Sequence, residues 1–259
     1  MQLASKTVLL TGAGRGIGRA AARRFVEAGC RVAFVARSGD ALRRLAAELG
    51  DDRALPLPAD VSDPRACEAV VQETVRRFGG VDVLVNNAGI GIYGPGVFVP
   101  LDDLQRVMQV NFFGPLHLLR ACVPPMRAAG GGLVITVSSI IGRRATPWAG
   151  GYCASKAALE RMVEALRVEL APHNIRFSIL YPGVTRTDFV AHSLGQTPQR
   201  RGRVRGVPAE RVAARLVSVA RREPRDAYVT LFDRLFVTGA RLFPALTDRL
   251  FRWYFPPPP

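Results

Sequence analysis

Short, mostly apolar runs alternate along the chain with longer stretches whose apolar residues recur every three or four positions. The runs VLL (8–10), VAFVA (32–36), ALPL (54–57), VDVLV (81–85), LVITV (133–137) and FSIL (177–180) have the length and composition of strands buried on both faces. The stretches between them, such as GRAAARRFVEAG (18–29) and DALRRLAAELG (40–50), carry an apolar stripe and end in glycine, as helices do. Strand then helix, repeated six times, predicts a parallel sheet with helices on both faces. A seventh strand is expected near AYVTL (227–231), after a helix opened at Pro208 and closed between Arg221 and Pro224. No linker or internal repeat is visible. The expected fold is therefore α/β, one doubly wound Rossmann domain over residues 1–230 with a seven-stranded, mainly parallel sheet. Residues 231–259 are expected to form an amphipathic C-terminal extension and not an independent domain.

Composition narrows the class. With 48% hydrophobic residues among 259, the chain can bury a sizeable core, yet it contains no uninterrupted apolar run long enough to span a bilayer. The opening MQLASKTVLLTGAG reads as a strand entering a glycine turn, not as a signal peptide, so a cytoplasmic protein is expected. Cys30, Cys67, Cys122 and Cys153 show no CxxC spacing and suit buried thiols; no metal site is expected. The net charge of +15 suggests nucleic acid at first sight, but residues 191–259 carry 13 arginines against five acids, about half of the excess. A charge gathered at one end is a local feature, and a nucleic-acid partner is not expected.

The first strand runs directly into TGAGRGIG. Gly12, Gly16 and Gly18 there form a strand-to-helix turn in which backbone amides and the positive end of a helix can meet a pyrophosphate unobstructed, with Arg15 and Ile17 beside them. An NAD site usually has an acid at the end of the second strand. Here that strand ends in Ala36, Arg37 and Ser38; the missing acid, with Arg37 and Arg15 available to pair with a 2′-phosphate, points to NADP(H) over NAD(H).

VNNAG closes the fourth strand and VSSIIG the fifth, both at the carboxyl edge where such sheets bind ligands. Thirteen residues after Ser139 comes Tyr152, and four later Lys156, one of only two lysines in a chain whose other basic residues are arginines. A spacing of four places the phenol and the ammonium on one helix face. These motifs, over residues 5 to about 230, resemble the short-chain dehydrogenase/reductase superfamily in its single-domain branch of about 250 residues. The resemblance implies a catalytic tetrad of Asn111, Ser139, Tyr152 and Lys156. It implies cofactor contacts from the glycine turn, from Asp60 and Val61 at the adenine ring, from Asn87, Ala88 and Gly89, from Tyr152 and Lys156, and from Pro182, Gly183 and Thr187 at the nicotinamide. The expected activity is interconversion of a carbonyl and an alcohol, with Tyr152 as general acid/base and Lys156 lowering its pKa. Ser139 is expected to hold the substrate oxygen, and Asn111 a water leading to Lys156. A dinucleotide-binding regulatory protein without turnover is the alternative.

The expected substrate lining, Ile92, Tyr93, Ile141, Trp148 and Phe189, is apolar and suits a lipophilic small molecule. QRRGRVRG (199–206) reads first as a solvated loop; a clamp for an anionic acyl-thioester carrier and a nucleic-acid contact are the alternatives. In the extension, Leu235, Leu242, Leu246, Leu250 and Trp253 fall at helical spacing among Arg234, Arg241, Arg249 and Arg252, with Pro244 dividing two short helices. Such a pair suits peripheral contact of residues 231–255 with an anionic membrane, a subunit interface or an active-site cover. The family resemblance implies a homodimer or homotetramer.

Overall fold

The computed structural model describes residues 1–50, 52–196 and 205–255. Seven strands form one sheet: β1 (Thr7–Thr11), β2 (Arg31–Ala36), β3 (Ala54–Pro58), β4 (Val83–Asn86), β5 (Gly132–Val137), β6 (Ile175–Tyr181) and β7 (Asp226–Tyr228). Their order is β7-β6-β5-β4-β1-β2-β3, and every pair is parallel. The sheet therefore reverses direction of growth at β1, between β2 on one side and β4 on the other. A crevice opens at such a point beyond the carboxyl ends of the strands.

The strands are buried on both faces because successive side chains point to opposite sides. Val8 and Leu10 of β1, with Phe34 of β2, pack on one side with Phe25, Val212 and Leu216. Leu9 of β1 and Val35 of β2 face the other side, among Val70, Leu118 and Leu159. The helices that supply these layers are α1 (Gly16–Glu27), α2 (Gly39–Leu49), α3 (Pro64–Phe78), α4 (Leu101–Met108), α5 (Gly114–Ala128), α6 (Ile140–Arg143), α7 (Gly150–Glu169) and α8 (Ala209–Arg222). Asp63 caps α3 and Pro64 opens it, the expected chemistry of a helix start. α4 does not stop before α5. The two are joined by a π-helical turn, Gln109–Phe113, which holds Asn111 in a widened turn of a continuing helix.

The end of the sheet differs from the sequence reading. β7 stops at Tyr228, because Thr230 and Asp233 form a reciprocal capping box, each side chain bonded to the other's backbone N–H, which begins a helix at Leu231. α9 (Leu231–Leu242) and α10 (Pro244–Tyr254) follow, divided at Pro244 as expected. Two parallel two-residue ladders, Ile92–Tyr93 with Leu194–Gly195 and Thr185–Arg186 with Val207–Pro208, tie the loops above the carboxyl edge. No helix among the described residues is long and apolar enough to cross a membrane.

Candidate active site

A cavity of about 760 Å³ follows the crevice at the carboxyl ends of the strands. The glycine turn forms one end of it, and the geometry there demands glycine. Gly12 has φ +71°, and a Cβ on it would lie 2.8 Å from the Asn87 amide nitrogen and 2.9 Å from the Ala88 backbone. A Cβ on Gly18 would meet the Gly12 carbonyl oxygen at 2.0 Å. Asn87, the residue after β4, holds this arrangement: its side-chain amide donates to the Thr11 carbonyl at 2.8 Å, while the Thr11 hydroxyl accepts from the Asn87 and Ala88 backbone N–H groups, each at 3.0 Å. Arg15 is the N-cap of α1 and makes no side-chain capping bond, so the amino end of α1 points at the cavity without a protein anion beside it.

Further along, Arg37, Ser38 and Ala36 line the cavity at the end of β2. Arg37 and Arg15 are exposed and form no ion pair with an acid among the described residues. Asp60 and Val61 stand opposite. Burial works against the Asp60 charge, yet hydrogen bonds from the Ser62 backbone and hydroxyl, with Arg37 and Arg106 nearby, outweigh it and hold the carboxyl below its usual range.

The middle of the cavity is bounded by Ser138 and Ser139 after β5, by Tyr152 and Lys156 on α7, and by Pro182, Gly183 and Thr187 after β6. Tyr152 is buried, in edge-to-face contact with Phe189 at 5.6 Å between ring centroids. The Lys156 ammonium lies 5.8 Å from the centre of the Tyr152 ring and donates to the Val137 carbonyl at 2.9 Å. Burial pulls Lys156 down to about 8, with the Glu160 carboxylate opposing. Burial also pushes the Tyr152 phenol above its ordinary value; Tyr93 and Cys153 add to this and the Ser139 hydrogen bond opposes it. The sequence reading had Lys156 lowering the phenol. In the folded chain desolvation dominates, and the phenol is held protonated at neutral pH.

Asn111 does not line the cavity. It is fully buried in the π turn, where its side chain accepts from the Ile90 N–H at 2.9 Å and donates to the Ile90 carbonyl at 2.9 Å and to the Ser155 hydroxyl at 3.0 Å. Gly89 separates it from Lys156: a Cβ there would stand 3.2 Å from Asn111 Oδ1 and 3.4 Å from Lys156 Nζ. Of the expected substrate residues, Tyr93, Ile141 and Phe189 reach the cavity. Ile92 and Trp148 stand outside its wall. Ile92 is 1% exposed, paired with Leu194 in a ladder and packed with Val107 and Tyr152, while Trp148 has φ +68° and its carbonyl accepts from Gly94. The arginine-rich stretch 199–206 lies outside the described residues except for Arg205 and Gly206.

An active-site cover is one of the three roles expected of residues 231–255, and Phe232, Phe236, Phe251, Tyr254 and Phe255 of that segment roof the cavity. These particular aromatics, and the buried ion pair beneath Lys156, escaped the sequence reading. The aromatic spacing from 232 to 236 is a helical i, i+4 pair and was legible, but the leucine row drew the pattern toward the opposite face. Below Lys156, the buried Glu160 carboxylate accepts from the Ser138 hydroxyl and pairs with Arg143 at 3.0 Å; Arg143 in turn bonds the Tyr181 hydroxyl and pairs with Asp226 at 3.4 Å.

Residues 6–197 match the family described as short chain dehydrogenase. The chain is 34% identical over 248 residues to a Dehydrogenase/reductase SDR family protein 7-like of Anopheles gambiae, covering 87% of this chain and 78% of that one. Among solved structures it is similar to a 3-ketoacyl-(acyl-carrier-protein) reductase from Brucella melitensis complexed with NADH (TM-score 0.80, 29% identity, 88% of this chain and 97% of that one). It is also similar to an alcohol dehydrogenase from the archaeon Thermococcus sibiricus complexed with 5-hydroxy-NADP (TM-score 0.75, 28% identity, 86% of this chain and 94% of that one).

Proposed function

The chain belongs to the short-chain dehydrogenase family of oxidoreductases, and from that premise we propose that it is an NADP(H)-dependent carbonyl reductase or alcohol dehydrogenase acting on a lipophilic small molecule. The observation that carries this reading is the convergence of Ser139, Tyr152 and Lys156 on the same cavity as the glycine turn and Arg37. The two solved relatives were crystallised with different nicotinamide cofactors, so the choice between them rests on this chain's own residues. The cradle fits a dinucleotide: Gly12, Gly16 and Gly18 leave space where a side chain would intrude, and the amino end of α1 faces it. At the end of β2 no acid is present to repel a 2′-phosphate, and Arg37 supplies a planar, permanently charged donor set for one.

A reduced nicotinamide bound in this groove would supply a hydride to the carbonyl carbon. Ser139 holds the carbonyl oxygen, and its hydroxyl stabilises the negative charge that develops there. Tyr152 gives its phenolic proton to that oxygen, which becomes the alcohol hydroxyl. A phenol that burial keeps protonated suits this step, since an alkoxide is a far stronger base than a phenolate. Lys156, at about 8, can return a proton to the phenolate at neutral pH and then exchange with solvent, which an arginine would not do. Asn111 fixes the Ile90 backbone beneath this pair, through Ile90 N–H and C=O.

Purified protein scanned with NADPH against ketones, aldehydes and alcohols of increasing chain length tests this reading. Turnover that improves with apolar length is expected. Tight dinucleotide binding with no turnover across a broad panel would favour a regulatory protein instead.

A further inference from the structure

The outer surface of the C-terminal helix pair is apolar and exposed. Leu235, Leu242, Leu246, Leu250 and Trp253 are each between 56% and 66% exposed, more large apolar surface than a helix pair leaves in water without a covering partner. Between the two helices on this side lies an apolar groove of about 250 Å³, floored by Gly239 and flanked by Leu235, Phe243, Leu246 and Leu250. The opposite face is the aromatic roof of the active-site cavity, held in place by Val237 in the core and by Arg144, whose guanidinium lies 5.5 Å from the centre of the Phe251 ring and is bonded to Asp248.

Charge chooses the occupant. Arg234, Arg241, Arg249 and Arg252 are all exposed and each precedes a member of the apolar row by one position (Leu235, Leu242, Leu250 and Trp253), so they line one side of it about 100° around each helix. The segment's two acids are engaged: Asp233 is buried in the capping box and Asp248 is paired with Arg144. A second copy docking through the same face would add its own four arginines to the seam and bring no free acid from this segment to offset them. Anionic headgroups complement them, and arginine stems can lie along the apolar surface while their heads reach the headgroup layer.

We propose that α9 and α10 form a two-sided element, its outer face resting on an anionic lipid surface and its inner face roofing the cavity, so that a lipophilic substrate reaches Tyr152 from the bilayer. The delivery step rests on the reading of function above; the docking step does not. Phe232, which lines the cavity and is 68% exposed, stands at the rim where the two faces meet.

The test uses the full chain and vesicles of phosphatidylcholine, with or without phosphatidylserine. The protein should sediment with phosphatidylserine vesicles at low salt and be released as salt rises. Leu246→Glu with Leu250→Glu should weaken vesicle binding by about tenfold or more while NADPH affinity stays unchanged. The same double variant should raise KM for a long-chain ketone held in vesicles and leave KM for a short water-soluble ketone unaltered. Parent protein that stays in the supernatant overturns the proposal, as does an oligomer in sedimentation velocity that the double variant dissociates. An equal rise in both KM values overturns the delivery step. Vesicle binding with no turnover of any carbonyl upholds the dock and refutes the reading of function.

Discussion

Replacing Gly18 with alanine sets two effects of opposite sign against each other in one methyl group. Gly18 lies inside α1 at a helical φ, so alanine would favour the folded helix by about 0.5–1 kcal/mol. The new Cβ, however, would stand 2.0 Å from the Gly12 oxygen, 2.6 Å from the Gly12 carbonyl carbon and 2.7 Å from the Asn87 amide nitrogen. None of these is the free end of a flexible side chain. Gly12 is backbone, and the Asn87 amide is bonded to the Thr11 carbonyl at 2.8 Å, so relief requires the turn itself to move by more than about 1 Å. Overpacking of this kind costs about 1–3 kcal/mol, which exceeds the helix gain. Because the group that moves is the dinucleotide cradle, we expect NADPH affinity to fall by about tenfold or more, the equivalent of 1.4 kcal/mol. Titration of NADPH by fluorescence, beside urea unfolding of both proteins, measures the two consequences separately. Gly239→Ala is the control: it is also a glycine inside a helix, and nothing lies within 4 Å of its Cβ position. It should gain the helix term alone, raising Tm by about 2–4 °C per kcal/mol, with affinity unaltered. NADPH binding by Gly18→Ala within about twofold of the parent would refute the close-approach argument.

The remaining expectations concern charge. Arg37→Ala should narrow a preference for NADPH over NADH of at least about tenfold, since a charge-assisted contact to a 2′-phosphate is worth about 1.5–3 kcal/mol; equal affinities in the parent would contradict the assignment. Lys156 has its folded pKa depressed from 10.5 to about 8, so its buried charge destabilises the fold fully below pH 8, and the penalty is relieved as pH rises from about 8 to 10.5. Lys156→Met should therefore unfold at a higher temperature than the parent at neutral pH, by up to about 3 kcal/mol of stability, with the advantage shrinking across that window; a gap independent of pH would count against it. Glu160→Ala removes the buried partner of Arg143 at 3.0 Å and should cost about 3–5 kcal/mol in urea unfolding. A loss below about 1 kcal/mol would mean that Asp226 alone compensates Arg143.

Most of the sheet was legible because its strands are buried on both faces: an apolar run such as LVITV is the direct signature of that environment, and β5 is buried throughout. The edge was harder. At β7 the apolar run YVTL crosses from strand to helix, and only the reciprocal bonds of Thr230 and Asp233 decide where the helix starts. The glycine turn and the spacing of Ser139, Tyr152 and Lys156 were readable from local order alone, since one turn and one helix face place them. Ile92 and Trp148 were misplaced because a loop's apolar residues carry no periodicity that separates a cavity wall from the layer behind it. The direction of the Tyr152 shift was missed for a related reason: the helix spacing reveals the neighbouring ammonium, but not the depth of burial that raises the phenol.

The central claim is that Tyr152 delivers the proton to a carbonyl oxygen while the surrounding groove holds the dinucleotide, and comparison of the parent with Tyr152→Phe tests it most directly. The ring, its contact with Phe189 and the cavity wall are kept; only the hydroxyl is lost. With a carbonyl substrate that the parent reduces, Tyr152→Phe should turn over slower by about 10²–10⁴-fold, as expected for loss of a positioned general acid, and should bind NADPH with an unaltered Kd. Turnover within a few-fold of the parent, or an equal loss of turnover and of cofactor affinity, would contradict the account.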